Sequence, residues 1–174
     1  RQWFIEEAGE DWEEVCLGEL VTITSSKRVY YADYVDEGVP FYRSKEIIEL
    51  QSSGRTNSDL YITESQFEQL SRAYGVPVEG DILLTSVGTL GIAYRVRQSA
   101  RFYFKDGNLT WFKDFKRIPS IIIYTWLKSS IGKQQLEEIT IGSTQAALTI
   151  VGLKSLNLKL PPAQAILMIE KGLN

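Results

Sequence analysis

The stretch Gly142–Pro162, GSTQAALTIVGLKSLNLKLPP, places a polar loop, a short apolar strand pattern and a proline pair in immediate succession. An apolar helix pattern leads into the loop, so the loop lies between two regular elements of different type. Loops held in this way present side chains for binding, because the flanking elements fix their position. The stretch therefore predicts a mixed helix and strand fold that displays Ser143, Thr144 and Gln145.

The whole chain has the size and composition of one folded domain. Its 174 residues are 44% hydrophobic and 24% charged, which excludes an intrinsically disordered chain. A chain of this length buries about 70% of the surface that its unfolded form exposes. The sequence has no apolar run of the roughly 18 residues that a membrane span needs, and its acidic first residues differ from a secretion signal. We therefore expect a cytoplasmic protein without a membrane segment.

Residue types that many enzymes require are missing from the sequence. Histidine is absent and Cys16 is the single cysteine. Disulfides, cysteine-based zinc sites, serine-histidine triads and histidine general bases are therefore excluded. Cys16 stands between Val15 and Leu17, which favours a small buried hydrophobic residue over a reactive thiol. We expect no catalytic residue and no metal site in this chain.

The charge is unevenly distributed along the chain. The net charge of −3 by itself argues against a general nucleic-acid binder. Residues 95–117, however, contain seven basic and two acidic residues, with aromatic residues between them. Two interpretations remain open: alternating strands with solvated basic faces, or a surface that faces phosphates. The basic residues of this segment are Arg95, Arg97, Arg101, Lys105, Lys113, Lys116 and Arg117.

The segment Val39–Ile47, VPFYRSKEI, displays polar residues where two elements meet. Pro40 favours an extended approach, and an apolar run follows the polar residues. Arg43, Ser44 and Lys45 are therefore expected at the boundary between the elements. Arginine and lysine in such a place can read guanine edges or hold phosphates, and a solvated loop is the alternative.

Two helices have clear signals. Thr63 opens a capping box, apolar residues recur at helical spacing after it, and Gly75 is well placed to end the helix. A later helix opens after Pro119 and extends to Ile139, with an interruption at Gly132 left open.

Residues 80–94 predict a strand, a glycine-rich turn and a second strand. The spacing of Gly88 and Gly91 fits neither GxGxxG nor GxxxxGK, so the turn is no dinucleotide or phosphate loop. It is either a purely structural turn or one that offers Ser86 and Thr89 to DNA.

The segments 100–105 and 108–113 predict two further strands. The Asp-Gly pair between them is a strong hairpin signal, so we expect the two strands to pair with each other. Lys105 and Asn108 then stand at the turn, where both can reach DNA. Asn108 can equally serve as a turn residue alone.

Four segments in this order resemble the target recognition domain of type I restriction-modification specificity (S) subunits. They are LGEL at 17–20 after Trp12, VPFYRSKEI at 39–47, GDILLTSVGTLG at 80–91, and GSTQAAL with LKSLNLKLPP within 142–162. The resemblance implies an α+β fold: a strand-rich, partly β-helix-like DNA methylase specificity domain with flanking helices. It implies a recognition domain over 1–162 and the start of a C-terminal spacer helix over 163–174. The chain departs from the family pattern at Ala163, directly after the proline pair.

The resemblance also implies a function and partners. In that family the S subunit reads double-stranded DNA, and methyltransferase (M) and restriction (R) subunits perform the chemistry. S-adenosylmethionine, ATP and Mg would then belong to the partner subunits, and this chain would hold no cofactor. The methyltransferase signature NPPY and the nuclease pattern E-x-K are absent here, in keeping with a non-catalytic specificity subunit. One domain copy stands where the family normally has two. Three interpretations are open: a half-length subunit that pairs with itself, a truncated fragment, or a single recognition domain from a larger methyltransferase or nuclease.

The residues that we expect to contact DNA are polar or basic and stand at element boundaries and turns. Arg43 or Lys45 suits guanine, and Gln145 or Asn108 suits adenine. Gln145 can equally begin a helix and satisfy local backbone groups. The full set is Arg43, Ser44, Lys45, Ser86, Thr89, Lys105, Asn108, Ser143, Thr144 and Gln145. The alternatives to DNA recognition are a protein-interaction module and a decoy that docks methyltransferase subunits without reading DNA.

Overall fold

The computed structural model describes Gly9, residues 12–140, residues 146–162 and Ile166. Helices and strands are both abundant in this part of the chain, so the predicted α+β class is confirmed. The strands are β1 (Glu13–Cys16), β2 (Thr22–Thr24), β3 (Val39–Tyr42), β4 (Tyr61–Ile62), β5 (Ile82–Thr85), β6 (Ala93–Arg95), β7 (Tyr103–Phe104), β8 (Leu109–Lys113) and β9 (Asn157–Leu160). The helices are α1 (Leu17–Leu20), α2 (Ser44–Ser53), α3 (Glu64–Tyr74), α4 (Ser120–Lys128), α5 (Ser130–Glu138) and α6 (Ile150–Lys154).

The central sheet has the strand order β2-β8-β5-β6, and neighbouring strands are antiparallel. β5 and β6 flank the glycine-rich turn, so the predicted strand, turn and strand are confirmed. Every residue of β5 is buried, and its side chains alternate between two hydrophobic clusters. Ile82 and Leu84 join one cluster and Leu83 joins the other, so the sheet runs through the middle of the core.

A smaller sheet has the order β4-β3-β7, with β3 antiparallel to β4 and parallel to β7. The predicted hairpin between β7 and β8 is therefore wrong, although both strands form. Gly107 makes the turn with φ 75°, but the chain crosses there from the small sheet to the central sheet. Tyr103 and Phe104 are fully buried beside β3, and this packing holds β7 in the small sheet.

Helix α3 begins and ends where the sequence predicts. Thr63 Oγ1 accepts a hydrogen bond from the backbone N–H of Gln66 at 3.1 Å, and Gly75 ends the helix with φ 78°. Phe67 and Leu70 are buried in the cluster that includes β3 and β4. The helix therefore packs on the small sheet.

The helix predicted over 119–139 is two helices, α4 and α5, and the break lies at Ser129 instead of Gly132. The buried Ser129 hydroxyl donates to the carbonyl oxygen of Trp126 at 2.7 Å and accepts from the N–H of Gly132 at 3.1 Å. This side chain thus ends one helix and caps the next. Glycine is required at 132 by close packing, because a Cβ there would lie 2.0 Å from the Trp126 carbonyl oxygen.

The last part of the chain holds the predicted strand and one helix that the sequence did not predict. β9 pairs antiparallel with β1, with Glu13 opposite Leu160, so the two ends of the domain meet. Helix α6 begins after Thr149, whose Oγ1 accepts from the Gly152 N–H at 3.0 Å.

Two parts of the sequence prediction lie outside the described residues: the loop at 142–145 and the spacer segment 163–174 apart from Ile166. Across the described ranges no helix is long and apolar enough to cross a bilayer.

Candidate nucleic-acid interface

Four segments of the chain meet at one edge of the two sheets. β3 and β7 run parallel and end together, and the N–H of Lys105 donates to the Tyr42 carbonyl at 2.8 Å. β8 starts beside the end of β5, where the N–H of Ser86 donates to the Asn108 carbonyl at 2.8 Å. We call this edge the loop rim and define it as residues 43–45, 86–91, 105–108 and 146–148. The topology thus gathers polar segments that are far apart in sequence.

Arg43 is held at the rim by a buried carboxylate. It precedes helix α2, and Glu46 in the first turn is 0% exposed. One Glu46 oxygen accepts from the Arg43 backbone N–H at 2.7 Å, and the other accepts from its guanidinium at 2.8 Å. The Glu46 carboxylate raises the pKa of Arg43, so the guanidinium is charged at every working pH. The Arg43 side chain is 34% exposed and presents a fixed, partly shielded charge.

Lys45 and Asp59 form an ion pair beside Arg43. Lys45 Nζ lies 2.8 Å from Asp59 Oδ2, and Arg43 Nη2 lies 3.4 Å from the same oxygen. The hydrogen bond from Lys45 lowers the pKa of the Asp59 carboxyl, and Asp59 in turn raises the pKa of Lys45. In the free protein, one carboxylate therefore bridges both cations of this segment.

Ser44 is the first residue of α2, at the predicted boundary between elements. Its Oγ is shielded from solvent and has no hydrogen-bond partner among the described residues. In this conformation the hydroxyl is inaccessible to a ligand from solvent, whereas the side chains of Arg43 and Lys45 beside it are partly exposed.

Ser86 and Thr89 occupy different environments in the glycine-rich turn. Ser86 is 2% exposed, and its hydroxyl contacts the Leu84 carbonyl at 3.1 Å and Thr110 Oγ1 at 2.6 Å. Burial therefore extends one residue beyond the end of β5, and the Ser86 side chain packs under the turn instead of facing solvent. Thr89 is exposed at the tip, between Gly88 with φ 78° and Gly91 with φ 77°.

Lys105 and Asn108 flank the chain crossing between the sheets. Both are half-buried, and their backbones are fixed by the rim hydrogen bonds to β3 and to the end of β5. Asn108 follows Gly107 directly, so it is also the turn residue that the sequence allowed for. Their side chains stand at the same edge as Arg43 and Thr89.

The segment after the polar loop reaches the rim as well. Val87 and Ala147 form an antiparallel bridge, and the N–H of Leu148 donates to the Ser86 carbonyl at 2.9 Å. The loop residues Ser143, Thr144 and Gln145 lie outside the described residues.

Sequence reasoning missed a group of residues next to the rim, in the segment that connects β2 to β3. Arg28 Nε lies 2.8 Å from Asp106 Oδ2 of the rim. Tyr30 and Tyr31 are 67% and 89% exposed on a short 3₁₀ turn, Tyr31–Asp33. Tyr34 anchors this turn, because its ring packs on Phe41 of β3 with centroids 5.0 Å apart. The segment has neither strand nor helix periodicity, and the paired tyrosines were its one available signal.

The remaining basic residues of 95–117 do not form one patch with the rim. Arg101 pairs with Glu64 at the start of α3, and Arg117 pairs with Glu13 of β1. Lys113 lies at the far end of β8, with Nζ 4.5 Å from the Trp111 ring centroid. These cations spread over several faces, so the rim carries a smaller set of cations than the sequence count indicates.

Residues 9–169 match the family model described as the type I restriction modification DNA specificity domain. A Haemophilus influenzae protein that bears the name of a type I restriction enzyme specificity subunit is 27% identical over 148 residues. That alignment covers 84% of this chain and 35% of the relative.

Solved structures have the same fold. The HsdS subunit from Thermoanaerobacter tengcongensis superposes with a TM-score of 0.66 at 15% identity, over 95% of this chain and 37% of that one. The S subunit from M. genitalium superposes with a TM-score of 0.57 at 15% identity, over 98% of this chain and 42% of that one. A chain from a structure of complex assembly in the type I R-M system superposes with a TM-score of 0.63 at 16% identity, over 95% of this chain and 40% of that one. The chain therefore spans well under half the length of each of these proteins.

Proposed function

The chain belongs to the type I restriction-modification DNA specificity domain family, and on that premise we propose that its loop rim reads double-stranded DNA by sequence. The observation that carries this proposal is the convergence of Arg43, Lys105, Asn108 and Thr89 at one edge of two sheets. A rigid edge that combines cations with neutral hydrogen-bonding groups suits DNA, which offers phosphates and base edges side by side.

The rim divides the work between positioning and reading. Lysines at its margin suit phosphate, which fixes the register of the protein on the duplex without reporting sequence. The fixed guanidinium of Arg43 suits the O6 and N7 acceptors of guanine, and the amide of Asn108 suits adenine. Each good bidentate contact discriminates against the wrong base by about 1 to 3 kcal/mol.

Catalysis is assigned to other subunits. We propose that methyltransferase and restriction subunits join this chain and hold S-adenosylmethionine, ATP and Mg, while the chain itself supplies only recognition. Its matches to longer proteins, of which it covers 35% to 42%, support a second recognition unit, either in the same polypeptide or through pairing of two copies. Under this proposal the assembly acts on DNA in the cytoplasm.

Selection from a random duplex pool, followed by titration of the selected and a scrambled duplex, tests the proposal. We expect preferential binding of the selected duplex, with log affinity falling by about 0.9 per phosphate contact for each unit of log salt. Equal affinity for both duplexes at every salt concentration would contradict the proposal. Retained assembly with methyltransferase subunits in that case would favour the interaction or decoy functions instead.

A further inference from the structure

We propose that the Asp59 carboxylate occupies, in the free protein, the site that a DNA phosphate takes in the complex. The inference rests on the proposed DNA-binding function and adds a phosphate contact, through Lys45 Nζ and Arg43 Nη2, to the base contact proposed for the Arg43 guanidinium. Binding would then be an exchange of one anion for another at the same pair of cations.

Arg43 and Lys45 form an anion-binding site that the chain's own Asp59 carboxylate occupies. A single oxygen, Asp59 Oδ2, lies 2.8 Å from Lys45 Nζ and 3.4 Å from Arg43 Nη2. Carboxylate and phosphate oxygens accept the same charge-assisted hydrogen bonds from these two cations. A phosphate oxygen placed at the Oδ2 position would therefore meet both donors.

Arg43 keeps its position when Asp59 leaves. The Arg43 guanidinium is held from behind by the fully buried Glu46, whose carboxylate bonds do not involve Asp59. Asp59, by contrast, is 65% exposed, and an ion pair this exposed to water contributes little to stability. The buried carboxylate is thus the permanent partner and the exposed one is the exchangeable partner.

The loop that carries Asp59 does not depend on its carboxylate. The N–H of Phe41 donates to the Leu60 carbonyl at 2.9 Å, and Ser58 Oγ contacts the carbonyls of Phe41 and Leu60 at 3.0 Å and 2.7 Å. These bonds hold both neighbours of Asp59 to β3. The side chain can rotate into solvent while its backbone stays in place.

The exchange weakens binding to DNA of any sequence, because every duplex must displace Asp59 before its phosphate reaches the cations. A duplex that also makes base contacts recovers the cost, whereas a random duplex does not. Asp59 therefore lowers background binding, and because the cost is the same for every duplex, the ratio of specific to non-specific affinity is unchanged.

Asp59→Asn is the test, with Glu13→Gln as its matched control. Glu13 also forms an exposed carboxylate pair, with Arg117, at the far end of β8 from the rim. Asp59 is 65% and Glu13 59% exposed, and each substitution removes one negative charge. The global charge change is therefore equal, and only Asp59→Asn frees the rim cations.

The measurement is fluorescence anisotropy with the selected and the scrambled duplex at low and high salt. We expect Asp59→Asn to bind the scrambled duplex about fivefold more tightly at low salt, with a smaller gain at high salt. Glu13→Gln should stay within about twofold of wild type. In an Arg43→Ala background the gain from Asp59→Asn should shrink, because one of the two freed cations is gone.

Equal affinities for the two variants, or a loss of binding in Asp59→Asn that keeps its melting temperature, would overturn this inference. A loss would mean that the carboxylate itself contacts DNA, for example a cytosine amino group. If wild type binds the selected duplex selectively and the variants still match, only the exchange is wrong. If wild type shows no selective binding, the proposed function fails and the inference fails with it.

Discussion

The carboxylate of Glu46 is fully buried and holds both the backbone N–H and the guanidinium of Arg43, at 2.7 Å and 2.8 Å. The same side chain thus fixes the start of helix α2 and the orientation of a cation on the rim. Under the proposed function, stability and recognition are coupled through this one residue, since Arg43 cannot be repositioned without leaving a buried charge unpaired.

Glu46→Ala should lower the free energy of unfolding by roughly 2 to 4 kcal/mol, because it removes a helix cap and a buried ion pair together. It should also weaken binding of the selected duplex at temperatures where the variant is still folded. Glu46→Gln keeps an oxygen for the Arg43 N–H and should lower the free energy of unfolding by less than Glu46→Ala does. Urea titration followed by circular dichroism measures the stabilities, and wild-type stability in Glu46→Ala would contradict the structural role.

Arg43→Ala should reduce affinity for the selected duplex more than for the scrambled one, by about 1 to 3 kcal/mol of discrimination. Lys113→Ala, from the basic segment 95–117, is the control, since Lys113 lies over Trp111 at the far end of β8. It should change both affinities little and alike. Equal losses on both duplexes for Arg43→Ala would leave it a phosphate contact and refute base reading.

Tyr31→Ala should weaken binding of the selected duplex by about 1 to 2 kcal/mol, because an exposed ring held beside the rim can stack on a base or sugar. Tyr74→Ala removes another exposed tyrosine, at the end of α3, and should have no such effect. Anisotropy titration of both variants with the selected duplex measures the two affinities. Equal behaviour would mean that the 3₁₀ turn lies outside the interface.

Local patterns in the sequence predict local elements well. The cap at Thr63, the glycine stop at Gly75 and the strand, turn and strand at 82–95 all follow from side chains within a few residues of one another. Each of these features is confirmed because the physical cause lies inside the segment itself. The α+β class follows from the same elements taken in order.

Partners far apart in sequence were not predictable in the same way. The Asp-Gly turn forms, but β7 pairs with β3, more than fifty residues earlier, because Tyr103 is buried there. The break at Ser129 depends on how closely Gly132 approaches Trp126, which no periodicity reports. Likewise, the bridging position of Asp59 depends on a loop that only the folded small sheet brings beside α2.

The site prediction divides along the same line. Arg43 and Lys45 stand at the predicted element boundary, and Thr89 stands at the predicted turn. Burial of Ser86 was not visible, because a serine after a buried strand reads the same whether it faces inward or outward. Which of these residues contacts DNA stays a prediction that the variants above test.

Gly132→Ala should destabilise the domain by at least about 3 kcal/mol, because its Cβ would lie 2.0 Å from a backbone oxygen that cannot move without separating α4 from α5. Gly107→Ala is the contrast, since its Cβ would meet no described residue within 4 Å but its φ is 75°. That variant should lose only about 1 to 2 kcal/mol, the cost of a left-handed backbone. Similar losses for both would contradict the packing explanation.

Asp81 makes stability depend on pH, and the direction of the dependence follows from its burial. It is 6% exposed, and burial raises the pKa of its carboxyl above the ordinary 3.8, although the N–H groups of Val78 and Trp111, at 3.0 Å and 2.8 Å, act in the opposite direction. The folded state therefore favours the protonated carboxyl more than the unfolded state does. Its contribution is fully present below the unfolded pKa and is lost as pH rises through the folded pKa.

Asp81→Asn removes this titration and keeps a carbonyl oxygen for the Trp111 N–H. The stability of the variant minus that of wild type should therefore rise as pH increases from about 4 to about 7. The exposed carboxyls Glu13, Asp59 and Glu64, whose pKa values are lowered by basic partners, contribute the opposite slope equally to both proteins, so they cancel in the difference. Urea titrations of both proteins between about pH 4 and pH 7 measure this difference in stability. Parallel stability curves would show that burial of Asp81 does not favour its protonated form, since the variant differs from wild type at this carboxyl alone.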